Sequence, residues 1–128
     1  MKAIKIDVTN QTISQITIGK DYKEIYTQIG NNCDLFCCPF EFENGDCLYA
    51  DDEALLKEVE GCFAFPNWNY PIVGNAIILG TDYDNDGEST DAKSEISQLQ
   101  ETIIWGNKAV AEMYQDYASK NTPDIISF

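Results

Sequence analysis

The stretch PIVGNAIILG, residues 71–80, is an almost continuously apolar run. A strand of this kind is covered by protein on both faces, whereas a strand with one wet face alternates apolar and polar residues. We therefore expect residues 71–79 to form a central strand of a sheet. Gly74 interrupts the run and predicts either a bulge or a close approach of another backbone at that point.

Two hairpins are predicted upstream of this strand. Residues 2–8 (KAIKIDV) and 12–18 (TISQITI) alternate apolar and polar side chains, which is typical of an opening hairpin. Asn44-Gly45 stands between two further alternating segments and favours a two-residue turn, which would place Glu43 opposite Asp46. Pro39 predicts that its strand lies at an edge or carries a bulge, because proline cannot donate to a strand ladder.

Shorter patterns predict local helical structure. Residues 21–30 (DYKEIYTQIG) predict a short helix that starts near Asp21 and stops at Gly30. Residues 51–61 (DDEALLKEVEG) predict a helical turn or a loop that covers the core through Leu55 and Leu56.

The last third of the chain has helical spacing. We expect Thr90 or Asp91 to cap its start and Thr122-Pro123 to end it. Gly106 either divides the region into two helices or lets one long helix pack closely against a neighbour. The apolar seam predicted to face the core is Ile96, Leu99, Ile103, Gly106, Val110, Met113 and Tyr117.

These elements together predict an α+β fold. We expect an antiparallel or mixed sheet of about four to six strands, with the helical region 91–119 packed on one face. A chain of 128 residues is long enough to form one domain, residues 1–128, around a single core.

The charge composition restricts the possible functions. The net charge is -14, the eight basic residues are all lysines, and histidine is absent. Without histidine and arginine, the chain lacks the usual general base and the bidentate binder of phosphate. Direct binding to nucleic acid is disfavoured because the phosphates would be repelled. This composition excludes the common hydrolytic and phosphoryl-transfer constellations but not every enzyme. We expect a protein that is not an enzyme and does not bind nucleic acid itself.

The hydropathy pattern bears on location. No stretch approaches the roughly 20 apolar residues of a membrane span, and the sequence MKAIKIDV at the N-terminus has no signal-peptide core. The expected location is the cytoplasm of a bacterial host, with no membrane partner.

Residues 82–87, DYDNDG, match the opening of a calcium-binding EF-hand loop. The twelfth position of that loop requires a bidentate glutamate, but Lys93 stands there, and a predicted strand precedes the loop where a helix is needed. An EF-hand is therefore excluded. A looser calcium site formed by Asp82, Asp84 and Asp86 remains an alternative, and no other cofactor is expected.

The acidic residues are concentrated in the middle of the chain. Between Asp34 and Asp91 there are fourteen acidic residues and one lysine, Lys57. The three groups considered for partner binding are Glu41, Glu43 and Asp46, then Asp51, Asp52 and Glu53, and finally Asp82, Asp84, Asp86 and Glu88. If the groups converge, their density of charge resembles that of phosphates and favours a host protein with a basic, nucleic-acid-binding surface. The alternative is that the charge only maintains solubility.

Two other features could take part in binding. Trp68 and Tyr70 could anchor an interface, line a small-ligand pocket or close off the core. The five cysteines are odd in number and contain no C-x-x-C pair, so reduced thiols are expected in preference to disulfides or a zinc site.

A resemblance to a known family rests on three segments of the chain: MKAIKIDVTNQTISQITI, LYADDEALLKEVEG and YPIVGNAIILGTDYDNDGESTD. Over most of residues 1–95 the chain resembles a family of small uncharacterised proteins of phages, plasmids and other mobile elements, classed as a domain of unknown function. The matching positions are Asp52, Glu53, Leu55, Leu56, Ile72, Val73, Gly74, Asn75, Gly80 and Thr90. The resemblance implies a mobile-element setting and supplies no catalytic residues.

Three functions follow as hypotheses. The first is an inhibitor of a host defence system, anti-CRISPR or anti-restriction, that acts through an acidic face mimicking nucleic acid. The second is a module that sequesters a small ligand. The third is a calcium-binding structural or regulatory protein.

Overall fold

The computed structural model describes residues 1–121 as an α+β fold, as predicted. The strands are β1 (Lys2–Asp7), β2 (Thr12–Thr17), β3 (Phe36–Glu41), β4 (Cys47–Asp51), β5 (Gly61–Ala64), β6 (Ile72–Val73), β7 (Ala76–Asp82), β8 (Glu88–Thr90) and β9 (Ile104–Asn107). The helices are α1 (Lys23–Ile29), α2 (Ile96–Thr102) and α3 (Lys108–Asn121), and there are 3₁₀ turns at Ala54–Leu56 and Tyr83–Asn85.

The strands form two antiparallel sheets. The larger sheet has six strands in the order β2-β1-β7-β4-β3, with β8 added to the far end of β7. The smaller sheet has the order β6-β5-β9. As predicted from its apolar sequence, β7 is central, because it pairs with β1 on one side and β4 on the other.

The alternation of side chains along β7 explains the layers. Ile77 and Leu79 point to one face, where they pack with Ile25 and Ile29 of α1. Ala76 and Ile78 point to the other face, which is covered by the small sheet through Phe63 and by α2 through Leu99. Helix α3 packs on the outer side of the small sheet, where Ala111 meets Cys62 and Val73.

The predicted strand 71–79 is divided by Gly74 and Asn75, so that part of the prediction is wrong. Gly74 has a φ of +84°, and a Cβ added there would meet nothing within 4 Å. Glycine is therefore required for its left-handed backbone and not for a close approach. Asn75 secures the crossing between sheets, because its side chain accepts a hydrogen bond from Val8 N (2.9 Å) and donates one to the Ile29 carbonyl (3.3 Å).

Both predicted hairpins are present, but the second has a different turn. Phe42 N donates to Asp46 O (2.8 Å) and Gly45 N donates to Phe42 O (3.0 Å), so the loop contains three residues, 43–45. Glu43 consequently lies in the loop and not opposite Asp46. Gly45 has a φ of +92°, which suits a three-residue loop closed by a bulge. The prediction from Pro39 is confirmed, since β3 is an edge strand with an irregularity between Cys37 and Phe40.

The predicted start of α1 near Asp21 is confirmed, whereas the predicted start of the C-terminal helical region is wrong. Helix α1 begins two residues after Asp21, whose carboxylate accepts a hydrogen bond from Lys23 N (3.0 Å). Helix α2 begins at Ile96, so the caps predicted at Thr90 and Asp91 are wrong. Thr90 belongs to β8, and the Asp91 carboxylate instead accepts a hydrogen bond from Lys2 N (2.7 Å).

Gly106 divides the C-terminal region, which was one of the two predicted alternatives. It lies in β9 opposite Cys62, and a Cβ there would stand 2.5 Å from the Cys62 Sγ. Because this strand intervenes, the helical spacing that begins at Ile96 does not continue into α3, and a different set of α3 residues faces the core. As a result, Val110, Met113 and Tyr117 are exposed, and α3 buries Ala111 and Ala118 instead.

The predicted core contacts of residues 51–61 are also wrong. Leu55 and Leu56 are exposed, and Ala54 and Val59 are buried in their place. The 3₁₀ turn directs Ala54 to the core and its two leucines to solvent. The predicted stop at Thr122-Pro123 lies outside the described residues.

Candidate functional site

Two of the three acidic groups meet at one end of the large sheet. The pairing of β4 with β7 places residues 82–88 beside the hairpin loop 43–45. The Tyr83 hydroxyl donates a hydrogen bond to Glu41 Oε1 (3.2 Å), which joins the 82–88 segment to the end of β3, beside the hairpin loop. This hydrogen bond also raises the pKa of Tyr83. We call this region the acidic end: Glu41, Glu43, Asp82, Asp84, Asp86 and Glu88.

Within the acidic end, polar groups of residues 82–88 form hydrogen bonds with one another. Asp82 accepts a hydrogen bond from Asp84 N (3.2 Å), and Asn85 Nδ2 donates one to Glu88 Oε2 (2.9 Å). Asp86 adopts a left-handed backbone with a φ of 56°. Among residues 1–121, no three Asp, Glu, Cys or His side chains are arranged as metal ligands. The looser calcium site at Asp82, Asp84 and Asp86 stays an untested prediction without a ligand set in the described chain.

Asp46 does not belong to the exposed acidic surface predicted for it. The side chain is fully buried and accepts hydrogen bonds from Lys93 N (3.1 and 2.9 Å), Ser94 N (2.7 Å) and Ser94 Oγ (2.7 Å). Asn44 also contacts Ser94, through its side-chain amide (3.2 Å). Asp46 therefore fastens the hairpin to the segment before α2, which is a structural role.

The third acidic group lies at the opposite end of β4. The strand spans Cys47–Asp51, which separates its ends by about 14 Å at the usual rise of a strand. Asp51 is buried and paired with Lys57 Nζ at 2.7 Å, a hydrogen bond that raises the pKa of Lys57. Glu53 lies beside Asp34, and the hydrogen bond between these carboxyl groups raises the pKa of Glu53. The three groups thus do not form one face, and Asp51 is neutralised.

Trp68 and Tyr70 border a pocket of about 250 Å³ between the two sheets. Trp68 packs edge-on against Phe40 (ring centroids 5.4 Å apart) and lies 6.4 Å from the Tyr70 ring. Both rings remain partly exposed, whereas Phe65 closes the core beneath them. We call this pocket the aromatic cleft; the lining residues used below are Trp68, Tyr70, Tyr114, Leu55, Asp51 and Asp52.

Sequence reasoning did not connect Tyr114 or Leu55 with Trp68. Tyr114 comes from α3, 46 residues after Trp68, and reaches the cleft because Gln115 fixes α3 to the 3₁₀ turn. The Gln115 side chain donates to the carbonyls of Ala54 (2.8 Å) and Lys57 (2.7 Å). No local pattern in the sequence reports a contact of this kind.

Comparison with protein families identifies the chain at the level of a family. Residues 1–104 match the model of a family described as a domain of unknown function, DUF3846. The chain belongs to this family. No curated protein and no solved structure matches it. The DUF3846 match includes the whole acidic end and the Trp68–Tyr70 side of the cleft, whereas α3 with Tyr114 lies beyond it.

No helix within the described part of this DUF3846 member has both the length and the apolar character needed to cross a membrane.

Four of the five cysteines of this DUF3846 member have raised pKa values, which makes them poor nucleophiles at neutral pH. Cys33 and Cys62 are buried, and burial raises the pKa of both thiols. Burial together with the neighbouring Asp52 raises the pKa of Cys37 to about 11. Burial and a hydrogen bond with Cys47 raise the pKa of Cys38 to about 12. None of these four thiols has the lowered pKa of a catalytic cysteine.

We predict that Cys38 is alkylated slowly although it lies at the surface. With iodoacetamide at about pH 8, its rate should be roughly 30-fold below that of an unstructured cysteine, because a raised pKa removes thiolate faster than it increases nucleophilicity. The rate should keep rising with pH beyond 9, the ordinary pKa. Mass spectrometry of the labelled peptides measures each site. In urea all five cysteines should react alike, and a native Cys38 that reacts at the unfolded rate contradicts the prediction.

Proposed function

We propose that this protein is a non-enzymatic inhibitor that occupies the basic, nucleic-acid-binding surface of another protein through its acidic end. The observation that carries the proposal is the contact of Tyr83 with Glu41, which joins the acidic 82–88 segment to the acidic end of the β3–β4 hairpin. Five of the six carboxylates there are exposed and Asp82 is half-buried.

The electrostatics of the whole chain support this choice of partner. A net charge of -14 without arginine repels nucleic acid and attracts a basic surface. A cluster of carboxylates fixed on folded loops presents negative charge much as successive phosphates do. Such complementarity accelerates association and selects partners by charge. The expected partner is therefore a protein that normally holds nucleic acid.

The biological setting is part of the same proposal. Defence enzymes such as CRISPR effectors and restriction enzymes hold nucleic acid on basic surfaces, and mobile elements encode inhibitors of host nucleases. The resemblance of the sequence to proteins of phages and plasmids supports an anti-defence role in the cytoplasm of a bacterial host.

Neutralising the acidic end should abolish capture of the partner. The variant combines Asp84→Asn, Asp86→Asn and Glu88→Gln, which leaves Glu41 and Asp82 to hold the loops. At about 0.05 M salt, the amount of partner retained from a bacterial host lysate should fall at least about tenfold, because each lost charge weakens an unscreened contact. Quantitative mass spectrometry of the eluate measures the loss.

A matched control removes the same charge elsewhere. Glu24→Gln, Glu101→Gln and Glu112→Gln lie at exposed positions outside the acidic end. This variant should capture the partner nearly as well as the unmodified protein. Equal losses in the two variants would show that net charge, and not the acidic end, governs binding.

A second candidate function is sequestration of a small ligand. The aromatic cleft favours it, but a volume of about 250 Å³ lies below the 300 to 1,000 Å³ usual for ligand pockets. The lack of arginine also disfavours phosphate-bearing ligands. If the protein sequesters a small ligand, that ligand should raise the melting temperature of the protein in proportion to the logarithm of the ligand concentration.

A further inference from the structure

The aromatic cleft has room for one long amino-acid side chain. Its volume is about 250 Å³, and it opens to solvent between β4, the start of β6 and α3. Trp68 is 36% exposed and Tyr70 is 56% exposed, so both rings can be reached from solvent. A pocket of this size can admit a single long side chain.

The walls of the cleft favour a flat cation. Trp68, Tyr70 and Tyr114 supply three aromatic rings, and Trp68 is held in place by its edge-on contact with Phe40. The Tyr114 ring is uncharged at neutral pH, and burial raises its pKa further above the ordinary value. Aromatic faces attract cations, and they stack on a guanidinium because it is planar.

The charge inside the cleft is negative. Two carboxylates line it, but Asp51 is paired with Lys57 Nζ at 2.7 Å. Asp52 is exposed, and no lysine is among the described residues that line the cleft. The Asp52 carboxylate accepts a hydrogen bond from the Cys37 thiol but has no lysine beside it among these lining residues, so it can pair with a cation that enters from solvent.

A second copy of this chain cannot place an arginine in the cleft. It contains no arginine, so an arginine in the cleft must belong to a different molecule. The basic partner inferred above is such a molecule.

We propose that the aromatic cleft binds an arginine side chain of the partner protein, with the guanidinium stacked on Trp68, bordered by the nearly perpendicular Tyr70 ring and paired with Asp52. This inference deepens the proposed function and rests on it for the identity of the molecule that carries the arginine. The cleft and the acidic end lie at opposite ends of β4 and would contact the partner at two separate points.

The probe that tests the cleft directly is N-acetyl-arginine amide, with N-acetyl-citrulline amide as its neutral counterpart of the same shape. The chain has two tryptophans, so ¹⁵N NMR resolves two indole N–H signals, which Trp105→Phe assigns. The arginine compound should shift the Trp68 signal in a saturable way and leave the Trp105 signal nearly unchanged. Citrulline should bind about tenfold more weakly, since it lacks the charge.

Variants identify the residues responsible. Asp52→Asn keeps the size of the side chain and should weaken arginine binding about fivefold, whereas Glu101→Gln removes an equal charge outside both the cleft and the acidic end and should leave it unchanged. Trp68→Leu should abolish saturation, which Tyr70 chemical shifts would report. The cleft inference is overturned if arginine and citrulline bind equally, or if Glu101→Gln weakens binding as much as Asp52→Asn. It is also overturned if N-acetyl-leucine amide binds best, or if the Trp68 signal shifts with protein concentration alone because a second copy occupies the cleft.

The two proposals fail separately. If arginine amide does not bind but partner capture remains sensitive to salt and to the acidic end, the cleft inference alone is wrong. If arginine amide binds through Asp52 but no partner is captured through the acidic end, the proposed function alone is wrong.

Discussion

Asp46→Ala should lower the free energy of unfolding by about 3 to 5 kcal/mol, the largest effect expected of any acidic residue here. The carboxylate is buried at the root of the 43–45 loop and receives hydrogen bonds from Lys93 N, Ser94 N and Ser94 Oγ. Alanine would leave these three donors without an acceptor. Buried donors without partners cost far more than an intact hydrogen bond contributes.

Urea unfolding of three proteins tests the role of Asp46. Asp46→Asn should cost less than Asp46→Ala, because the amide keeps the volume and one acceptor oxygen while its NH₂ faces a donor. Asp84→Asn, at the exposed tip of the same end, should change the free energy of unfolding by no more than about 0.5 kcal/mol. A cost below about 1 kcal/mol for Asp46→Ala would mean that Asp46 is accessible and available to a partner.

Gly80→Ala should cost about 3 kcal/mol or more and should also displace the acidic end. A Cβ at Gly80 would stand 2.2 Å from the Asp91 carbonyl oxygen and 3.1 Å from its carbon. The opposing backbone cannot easily retreat. Gly80 pairs with Thr90 across β7 and β8, the Asp91 carboxylate binds Lys2 N, and Ala92 N donates to Lys2 O (2.9 Å).

Gly87→Ala provides the matched control for Gly80→Ala. A Cβ at Gly87 would meet nothing within 4 Å, but its φ is +75°, so alanine there should cost only the backbone strain of about 1 kcal/mol. Urea unfolding gives both values. Equal costs at the two positions would contradict the close β7–β8 packing that places the 82–88 loop beside the hairpin.

The layers of the fold could be predicted wherever local periodicity reports burial. The alternation in residues 2–8 and 12–18 gave the first hairpin, and the apolar run gave β7 as the central strand. In α3 the periodicity predicted the wrong buried face, because β9 intervenes and a new helix starts at Lys108. Gly74 visibly interrupts the apolar run. Composition alone, however, cannot distinguish a bulge from the left-handed backbone that divides this run between two sheets.

The candidate site was less predictable than the fold. Glu41 and the 82–88 loop meet because Cys47 pairs with Leu79, a register that no local pattern encodes. Asp46 looks like its acidic neighbours in sequence, and only contacts 47 and 48 residues away bury it. Asp51 looks like Asp52, yet Lys57 neutralises only the former. Long-range contacts therefore decide which acids are free to bind.

The most direct test of the central claim is capture from a bacterial host lysate at about 0.05 and 0.5 M salt, with and without excess duplex DNA, using the unmodified protein and the acidic-end variant. We predict one principal partner that binds nucleic acid, is lost at high salt, is displaced by DNA and is not retained by the variant. A partner retained equally at both salt concentrations and in the presence of DNA, or the absence of any partner that depends on the acidic end, would contradict the claim.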